Sequence, residues 1–512
     1  MYKLLYTPCP KLCISIYICL VLNYVQGGSE SDIMSSREDY VKYIVKQIQT
    51  TPYIANSFSQ AQNAQFKPRN SFEDLKKYVD DFLGGSDENR FITMPGLRGV
   101  GKSTLLFQIY NYLISRGIEE NRILYVSIDQ LDSLPNANLN DLINVFVEDI
   151  HHKYPATLDK DLFLLIDEAQ EDVDWSKTGK MIYDQSKRIF MLFTGSKALD
   201  FELDLDSVRR TNIERIYPMN FQEYLFLKYD IPPIGISQDI MDMLLTGNVG
   251  NAARKETDLL THITSIEKPL IKEWEHFLCY GGFPLSLNRN DIDAHRKIFE
   301  VVKRVIEKDV RQYKAFNGNT KKVLLNILSF LATQKPGGLS VNSLAKNLST
   351  SRSNVIDLLE ILEKTHLIFQ IKPYGGAGKM VRKPSKYYFL SPSITASINF
   401  TLGKHTPASS EYMGILAETL VASSFFRLNN VISKPNGIFY PVEKGMADFI
   451  ITTFEGDKIP VEVGIGEKGT KQVVKTMNAY NCEYGIVVSK TTDLIRKEGD
   501  VIFLPLTTFS IM

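Results

Sequence analysis

The sequence predicts an α/β fold in which a parallel sheet meets phosphate at the ends of its strands. Two stretches carry that prediction. In the first, Phe91 to Leu106 (FITMPGLRGVGKSTLL), an apolar strand runs into a glycine-rich turn and a helix leaves from Lys102. Gly96, Gly101, Lys102 and Ser103 stand at the G-x-x-x-x-G-K-[ST] spacing, where backbone N–H groups close around phosphate oxygens and the helix N-terminus adds partial positive charge. In the second, Asp161 to Glu168 (DLFLLIDE), a continuous apolar run ends in two carboxylates. Such a run is typical of a parallel strand covered on both faces, and ligands bind beyond the carboxyl ends of such strands.

These residue types assign a chemistry. Gly96, Leu97, Arg98, Gly99, Val100, Gly101, Lys102, Ser103 and Thr104 form the expected nucleotide cradle, with ATP as ligand. Lys102 is expected on the β- and γ-phosphates, and the Ser103 hydroxyl on Mg²⁺ with Asp167 in its shell. Glu168 is expected to polarise the attacking water. The strand Arg188 to Ser196 ends in Thr194 and Ser196, which either sense the γ-phosphate and water or simply close a strand. Arg209 and Arg210 are candidates for neutralising phosphate charge, within the chain or on a neighbouring subunit, or else a surface charge pair.

The remaining elements follow in order. Arg37–Gln49 and Phe72–Phe82 have helical apolar spacing, with Asn56–Asn70 as a polar connector. Arg122–Asp129 reads as a strand and Leu139–Tyr154 as a helix. Gln238–Lys314 is mostly helical, broken at Gly281-Gly282. Two short helices follow, around Ser340–Leu348 and Asn354–Thr365, then a hairpin of Phe369–Ile371 with Lys386–Phe389 around a Gly-Gly-Ala-Gly tip. That is the plan of a winged helix-turn-helix module. From Gly338 to Leu390 eight Lys or Arg stand against three Asp or Glu. DNA binding and a protein-docking or structural role are both compatible with this local basic excess.

At 512 residues and a formal net charge of +0, the chain has room for several domains and offers no global attraction to nucleic acid. Three of its five cysteines, Cys9, Cys13 and Cys19, lie near the N-terminus, leaving Cys279 and Cys482 in the body, which is a reducing-compartment pattern. Leu12–Val25 is an apolar run of signal-peptide length, shorter than a spanning helix needs. It is either a short membrane anchor or untranslated sequence before a true start at Met34, and a cytoplasmic protein is expected.

The combination of Gly96–Thr104, Leu164–Gln170, Phe193–Leu199 and Pro218–Tyr224, with Tyr280-Gly281-Gly282-Phe283-Pro284, resembles the bacterial and archaeal AAA-like, additional-strand P-loop ATPases that carry a C-terminal restriction-endonuclease-like domain. The resemblance implies a P-loop NTPase parallel sheet over residues 37–235 behind an N-terminal segment 1–36. It also implies a helical lid over 236–320, a winged helix over 321–395 and a restriction-endonuclease-like α/β domain over 396–512. In that last domain it places Glu418, Asp448 and Glu462 at the positions of an E…D…E-x-K metal framework, with Gly464 where the lysine belongs and Lys468 four positions late. A degenerate domain is therefore expected. ATP and Mg²⁺ are the expected ligands; DNA, a further copy of the chain and an unidentified protein are the candidate partners. Three functions compete: an ATP-hydrolysing switch or motor, an ATP-gated metal-dependent DNA nuclease, and a slowly hydrolysing nucleotide-dependent interaction protein.

Overall fold

In a computed structural model, residues 32–61, 64–134, 137–196, 210–263, 268–310, 318–431, 437–466 and 469–512 are described. Arg209, Lys468 and the cysteine-bearing apolar segment before Asp32 lie outside them.

Five parallel strands form the first sheet: β1 (Phe91–Pro95), β2 (Ile123–Ser127), β3 (Leu162–Asp167), β4 (Ile189–Gly195) and β5 (Asn212–Ile213), in the order β2-β3-β4-β1-β5. The apolar runs explain why. Alternate residues point to opposite faces, so Leu162, Leu164 and Ile166 enter one buried layer while Phe163 and Leu165 enter the other. Placing β4 between β1 and β3 brings three strand ends together: Met94 is in register with Thr194, Pro95 with Gly195, and Ile166 with Phe193.

Helices close both faces. Helix α1 (Asp32–Ser59) contributes Tyr40 and Ile44 to the layer containing Leu124, Leu164 and Phe193. It is longer than the apolar periodicity indicates. It already contains Met34 and Ser35, runs through Pro52, and takes in part of the expected connector. The Thr50 and Thr51 hydroxyls bond carbonyls of the preceding turn around that proline, and Ala55 is buried in the opposite layer. Helix α2 (Asn70–Leu83) turns Leu75, Val79 and Phe82 inward, and Phe82 meets Phe163 and Phe190 at centroid distances of 5.7 and 5.5 Å. The phosphate-loop helix α3 (Lys102–Ser115) buries Leu105, Leu106, Ile109 and Leu113. The expected helix from Leu139 ends early: α4 (Leu139–Val145) passes into a π turn at Phe146–Ile150, and Tyr154 is exposed.

Beyond α5 (Trp175–Gln185) and α6 (Phe221–Tyr229) the chain is helical. Helices α7 (Ile236–Thr246), α8 (Gly250–Ile263), α9 (Leu270–His276) and α10 (Asp291–Arg304) follow, with α10 continuing as a π turn over Val305–Asp309. The break at Gly281-Gly282 is a packing requirement. A Cβ at Gly281 would lie 2.7 Å from the Phe277 ring and 2.8 Å from that of Tyr224; one at Gly282 would lie 2.4 Å from Ser391 Oγ.

Helices α11 (Gly318–Thr333), α12 (Val341–Asn347) and α13 (Arg352–Lys364) precede an antiparallel pair, β6 (Ile368–Pro373) with β7 (Lys386–Phe389). Ser340 caps α12 through its hydroxyl, as the sequence predicts, and Ser351, expected as part of a turn, caps α13 in the same way. The tip between the strands holds a short helix, Ala377–Arg382, and is more than a glycine turn. The pair is also not a free wing. Strand β6 runs parallel to β8 (Gly437–Tyr440) and joins an eight-stranded mixed sheet. Its other strands are β9 (Phe449–Thr452), β10 (Lys458–Gly464), β11 (Gly485–Ser489), β12 (Arg496–Glu498) and β13 (Val501–Pro505), in the order β12-β13-β11-β10-β9-β8-β6-β7. A long helix, Ser410–Val431, packs on it.

One apolar core is continuous from the first sheet through the helical segment into the second. Polar links reinforce it. Asn220 Nδ2 donates to the carbonyls of Ile511 and Met512, Trp274 Nε1 donates to Ser510 Oγ, and Glu256 accepts from Ile495 N at 2.6 Å. The C-terminal tail and the turn before β12 are thereby fastened to α8, α9 and the start of α6. Among the described residues no helix is long and apolar enough to cross a membrane.

Candidate active site

The loop between β1 and α3 has the backbone its glycines permit. Gly99 and Gly101 adopt φ of 80° and 99°, the left-handed region that side chains disfavour. Gly96 is required for a different reason, since a Cβ there would lie 2.3 Å from the Ile216 carbonyl oxygen. Gly101 is the N-cap of α3 and supplies no side-chain bond, so the first N–H groups of the helix face the loop without an internal capping group. A phosphate fits that geometry and charge.

Lys102 is buried, and its Nζ donates to the carbonyls of Gly96 at 2.7 Å and Leu97 at 3.1 Å. Burial lowers its pKa. In the next residue, Ser103 Oγ donates to Asp167 Oδ2 at 2.6 Å, while Thr194 Oγ1 donates to Asp167 Oδ1. Two oxygen ligands of the hard kind that Mg²⁺ prefers therefore meet beside the phosphate cradle, and the residues fit that ion. Burial, then the neighbouring Glu168 charge, raises the Asp167 pKa, which a bound cation would oppose.

Glu168 follows β3 at φ 53° and ψ 42°, an uncommon conformation for a residue with a side chain. Its N–H donates to Thr194 Oγ1 at 3.1 Å, which fixes the turn. The carboxylate accepts from Arg98 Nη1 at 3.0 Å on one oxygen and from Gln170 Nε2 at 2.5 Å on the other. Burial disfavours its charged form, but the Lys102 and Arg98 charges outweigh burial and hold the carboxyl below its ordinary range. A strained residue carrying an ionised carboxylate beside a phosphate loop is suited to orient water. The strand-end hydroxyls do more locally than their position alone indicates. Thr194 orients both acidic residues, and Ser196 Oγ accepts from Gln170 Nε2 and donates to Asp309 Oδ1, each at 3.2 Å.

The structure does not bring Arg210 to this site. Its Nε pairs with Asp184 at 2.7 Å, just before β5 and so at the N-terminal edge of the parallel strands, whereas the cradle lies at the C-terminal edge. A short strand sets that register: Asn212 is opposite Ile92, the second residue of β1.

Three residues absent from the motif complete the site. Arg69 donates from Nη1 to the Val100 carbonyl in the loop at 2.7 Å, and binds Glu223 with Nε and Nη2 at 3.1 and 2.7 Å. Asp309 accepts from Arg98 Nη2 at 2.9 Å. All three are buried. Asp309 has a detectable signature, because it follows Val301 and Val305 at four-residue spacing on an otherwise apolar face.

At the second sheet, Glu418 of the Ser410–Val431 helix accepts from Tyr388 OH at 2.7 Å and Lys386 Nζ at 3.4 Å. Asp448 accepts from Val463 N at 2.8 Å, and its charge acts on Glu418. Glu462 is buried on β10. Among the described residues no group of three or more His, Cys, Asp or Glu side chains is arranged to hold a metal, so Glu418, Asp448 and Glu462 do not form one metal cluster. The lysine beside Glu418 comes from β7, a source that the spacing around Gly464 does not reveal.

The fold and loop define a nucleotide-binding P-loop ATPase domain of the AAA type, and residues 88–225 match the family model of an AAA domain. Residues 271–407 match a domain of unknown function (DUF8612). The chain belongs to the family of the uncharacterized protein MJ1637 of Methanocaldococcus jannaschii, to which it is 32% identical over 498 residues, covering 97% of this chain and 98% of the relative. An uncharacterized Haemophilus influenzae protein is 25% identical over 323 residues, 62% of this chain and 70% of that one. Among solved structures, an Aeropyrum pernix ORC1 protein in complex with DNA is 11% identical with a TM-score of 0.31, covering 67% of this chain and 95% of that one. The Thermotoga maritima RuvB Holliday junction branch migration motor is 14% identical with a TM-score of 0.26, covering 61% and 93%.

Proposed function

We propose that this protein hydrolyses ATP and uses the cycle as a switch or motor acting on a target chosen by its C-terminal half. The observation that carries the reading is the chain of contacts Ser103–Asp167–Thr194–Glu168 beside the loop, which joins a cation-binding pair to a water-orienting carboxylate. In this reading the Gly96–Thr104 loop cradles the phosphates, Lys102 turns from its loop carbonyls to phosphate, and Ser103 with Asp167 holds Mg²⁺. The cation supplies charge neutralisation on the phosphate oxygens. Glu168 orients the attacking water and accepts its proton, while Thr194 and Ser196 keep the carboxylates in register.

The helices at residues 318–364 and the hairpin after them serve as a winged helix-turn-helix module in this account, with DNA as the candidate target. The eight-stranded sheet with its long helix serves as a restriction-endonuclease-like domain that no longer cuts. Arg209 or Arg210 acts on a neighbouring copy's phosphate in this reading. The test is ATP turnover with and without DNA, together with a nicking assay in Mg²⁺ or Mn²⁺. Turnover without cleavage supports the reading; tight ATP binding without turnover, or metal-dependent nicking, refutes it.

A further inference from the structure

We propose that Asp309 is a positioning residue of this ATPase site, acting through Arg98 to limit the arginine to a single bond on the Glu168 carboxylate that orients water. The inference rests on the hydrolytic reading above and names a residue which that reading does not use.

Asp309 ends the π turn that continues α10, 211 positions from Arg98. It is 1% exposed, and its turn carries buried Val305 and Ile306 with buried Val310 next in the chain. A carboxylate in that setting is costly, and its Oδ2 has no hydrogen-bond partner among the described residues. An apolar side chain would serve packing better, so the acid needs a reason beyond the fold.

The geometry supplies one. An arginine beside a carboxylate tends to close a two-pronged fork on it. Arg98 instead divides its guanidinium. Nη1 reaches Glu168 Oε1 at 3.0 Å, while Nε and Nη2 are taken by Asp309 Oδ1 at 3.3 and 2.9 Å. Glu168 is left with a single bond from Arg98, and its other oxygen meets Gln170. Ser196 Oγ holds Asp309 Oδ1 from the β4 side, so the acid cannot follow the arginine. Without Asp309 the guanidinium is released to fork onto Glu168, competing with Gln170 for its second oxygen. The helical segment thus reaches the reacting carboxylate through one side chain. It also touches the loop directly, since a Cβ at Gly99 would lie 2.7 Å from Leu285 Cδ2 and 3.0 Å from Val301 Cγ2.

The experiment compares full-length wild type, Asp309→Asn, and Asp309→Asn combined with Arg98→Lys. Each is measured for steady-state ATP turnover, for affinity toward a fluorescent ATP analogue, and for melting temperature. Asp309→Asn should keep affinity within about threefold while kcat falls by about 10- to 100-fold, the scale of a displaced reacting group. Arg98→Lys should restore part of that loss, because an ammonium cannot close the fork. Should Asp309→Asn not fold, Asp309→Ser reads the same split. Unchanged kcat, a parallel fall of kcat, affinity and melting temperature, or no recovery with lysine would each overturn the role. Wild-type protein that binds ATP without turning it over would remove the hydrolytic reading and this inference with it. Wild type that hydrolyses ATP and stalls on Glu168→Gln, yet tolerates Asp309→Asn, would remove the inference alone.

Discussion

Glu223→Ala tests whether the phosphate loop is held from behind by a buried ion pair. Glu223 accepts from Arg69 Nε and Nη2 at 3.1 and 2.7 Å and from Asn70 N at 3.2 Å, and both charged side chains are more than nine-tenths buried. The Arg427 charge acts on the same pair. Removing the carboxylate leaves the buried Arg69 guanidinium without its anion and within reach of the Arg427 charge. Breaking a buried pair by deleting one partner costs about 3–5 kcal/mol. Over a cooperative unit the size of the ATPase domain, that lowers the melting temperature by about 6–20 °C. Arg69 also bonds the Val100 carbonyl, so nucleotide affinity should fall alongside stability. Thermal unfolding followed by far-UV circular dichroism gives the first number, and titration with a fluorescent ATP analogue the second. Replacing both partners, Arg69→Met with Glu223→Leu, should recover most of the stability, since the Arg69 charge is then no longer buried without its carboxylate. Single variants within about 1 kcal/mol of wild type, or a double variant no better than the worse single, would refute the reasoning.

Gly99→Ala should lower stability by about 1–3 kcal/mol and weaken nucleotide binding, because the new Cβ meets Leu285 at 2.7 Å and the backbone stands at φ 80°; melting and titration check it. His295 is buried against Phe400, Tyr280 and His405, and burial, then the His405 charge, lowers its pKa to about 4, with Asp291 opposing. The folded state therefore keeps this imidazole neutral, and its contribution is complete above the unfolded value of about 6.5 and lost as pH falls toward 4. About 3 kcal/mol should disappear over that window, and His295→Phe should flatten it in denaturant titrations run across pH. With Mg²⁺ or Mn²⁺ the purified protein should leave duplex and single-stranded DNA intact. Cleavage abolished by Asp448→Ala would contradict the non-cutting role given to the second sheet.

The parts of this fold that were legible in the sequence are those whose cause is local. Phe91–Pro95 and Leu162–Asp167 announce themselves as doubly covered strands, because apart from Thr93 every residue in them is apolar or sits at the sheet end. The loop is readable for the same reason, since its glycines answer to backbone angle and close approach at fixed spacing. Pairings across the chain leave no such trace. Arg69 and Glu223 are 154 positions apart, and the tie between Arg98 and Asp309 bridges 211. Arg98 was readable only as part of a backbone cradle, although its side chain organises the acids. Arg210, which the sequence leaves between phosphate neutralisation and a surface charge pair, has its edge of the sheet fixed by a two-residue strand that no periodicity reveals. Strand β6 was readable as half of a hairpin, but its second neighbour, β8, follows more than sixty residues later.

The most direct test of the central claim is ATP turnover measured beside ATP binding for wild type, Lys102→Ala and Glu168→Gln. Lys102 is the charge destined for phosphate and Glu168 the group destined for water, so the two variants must fail differently. The account predicts that wild type binds and hydrolyses ATP in Mg²⁺, that Lys102→Ala loses binding, and that Glu168→Gln binds with affinity near wild type while turnover falls by about two orders of magnitude or more. Equal loss of binding in both variants, or undiminished turnover by Glu168→Gln, would contradict it.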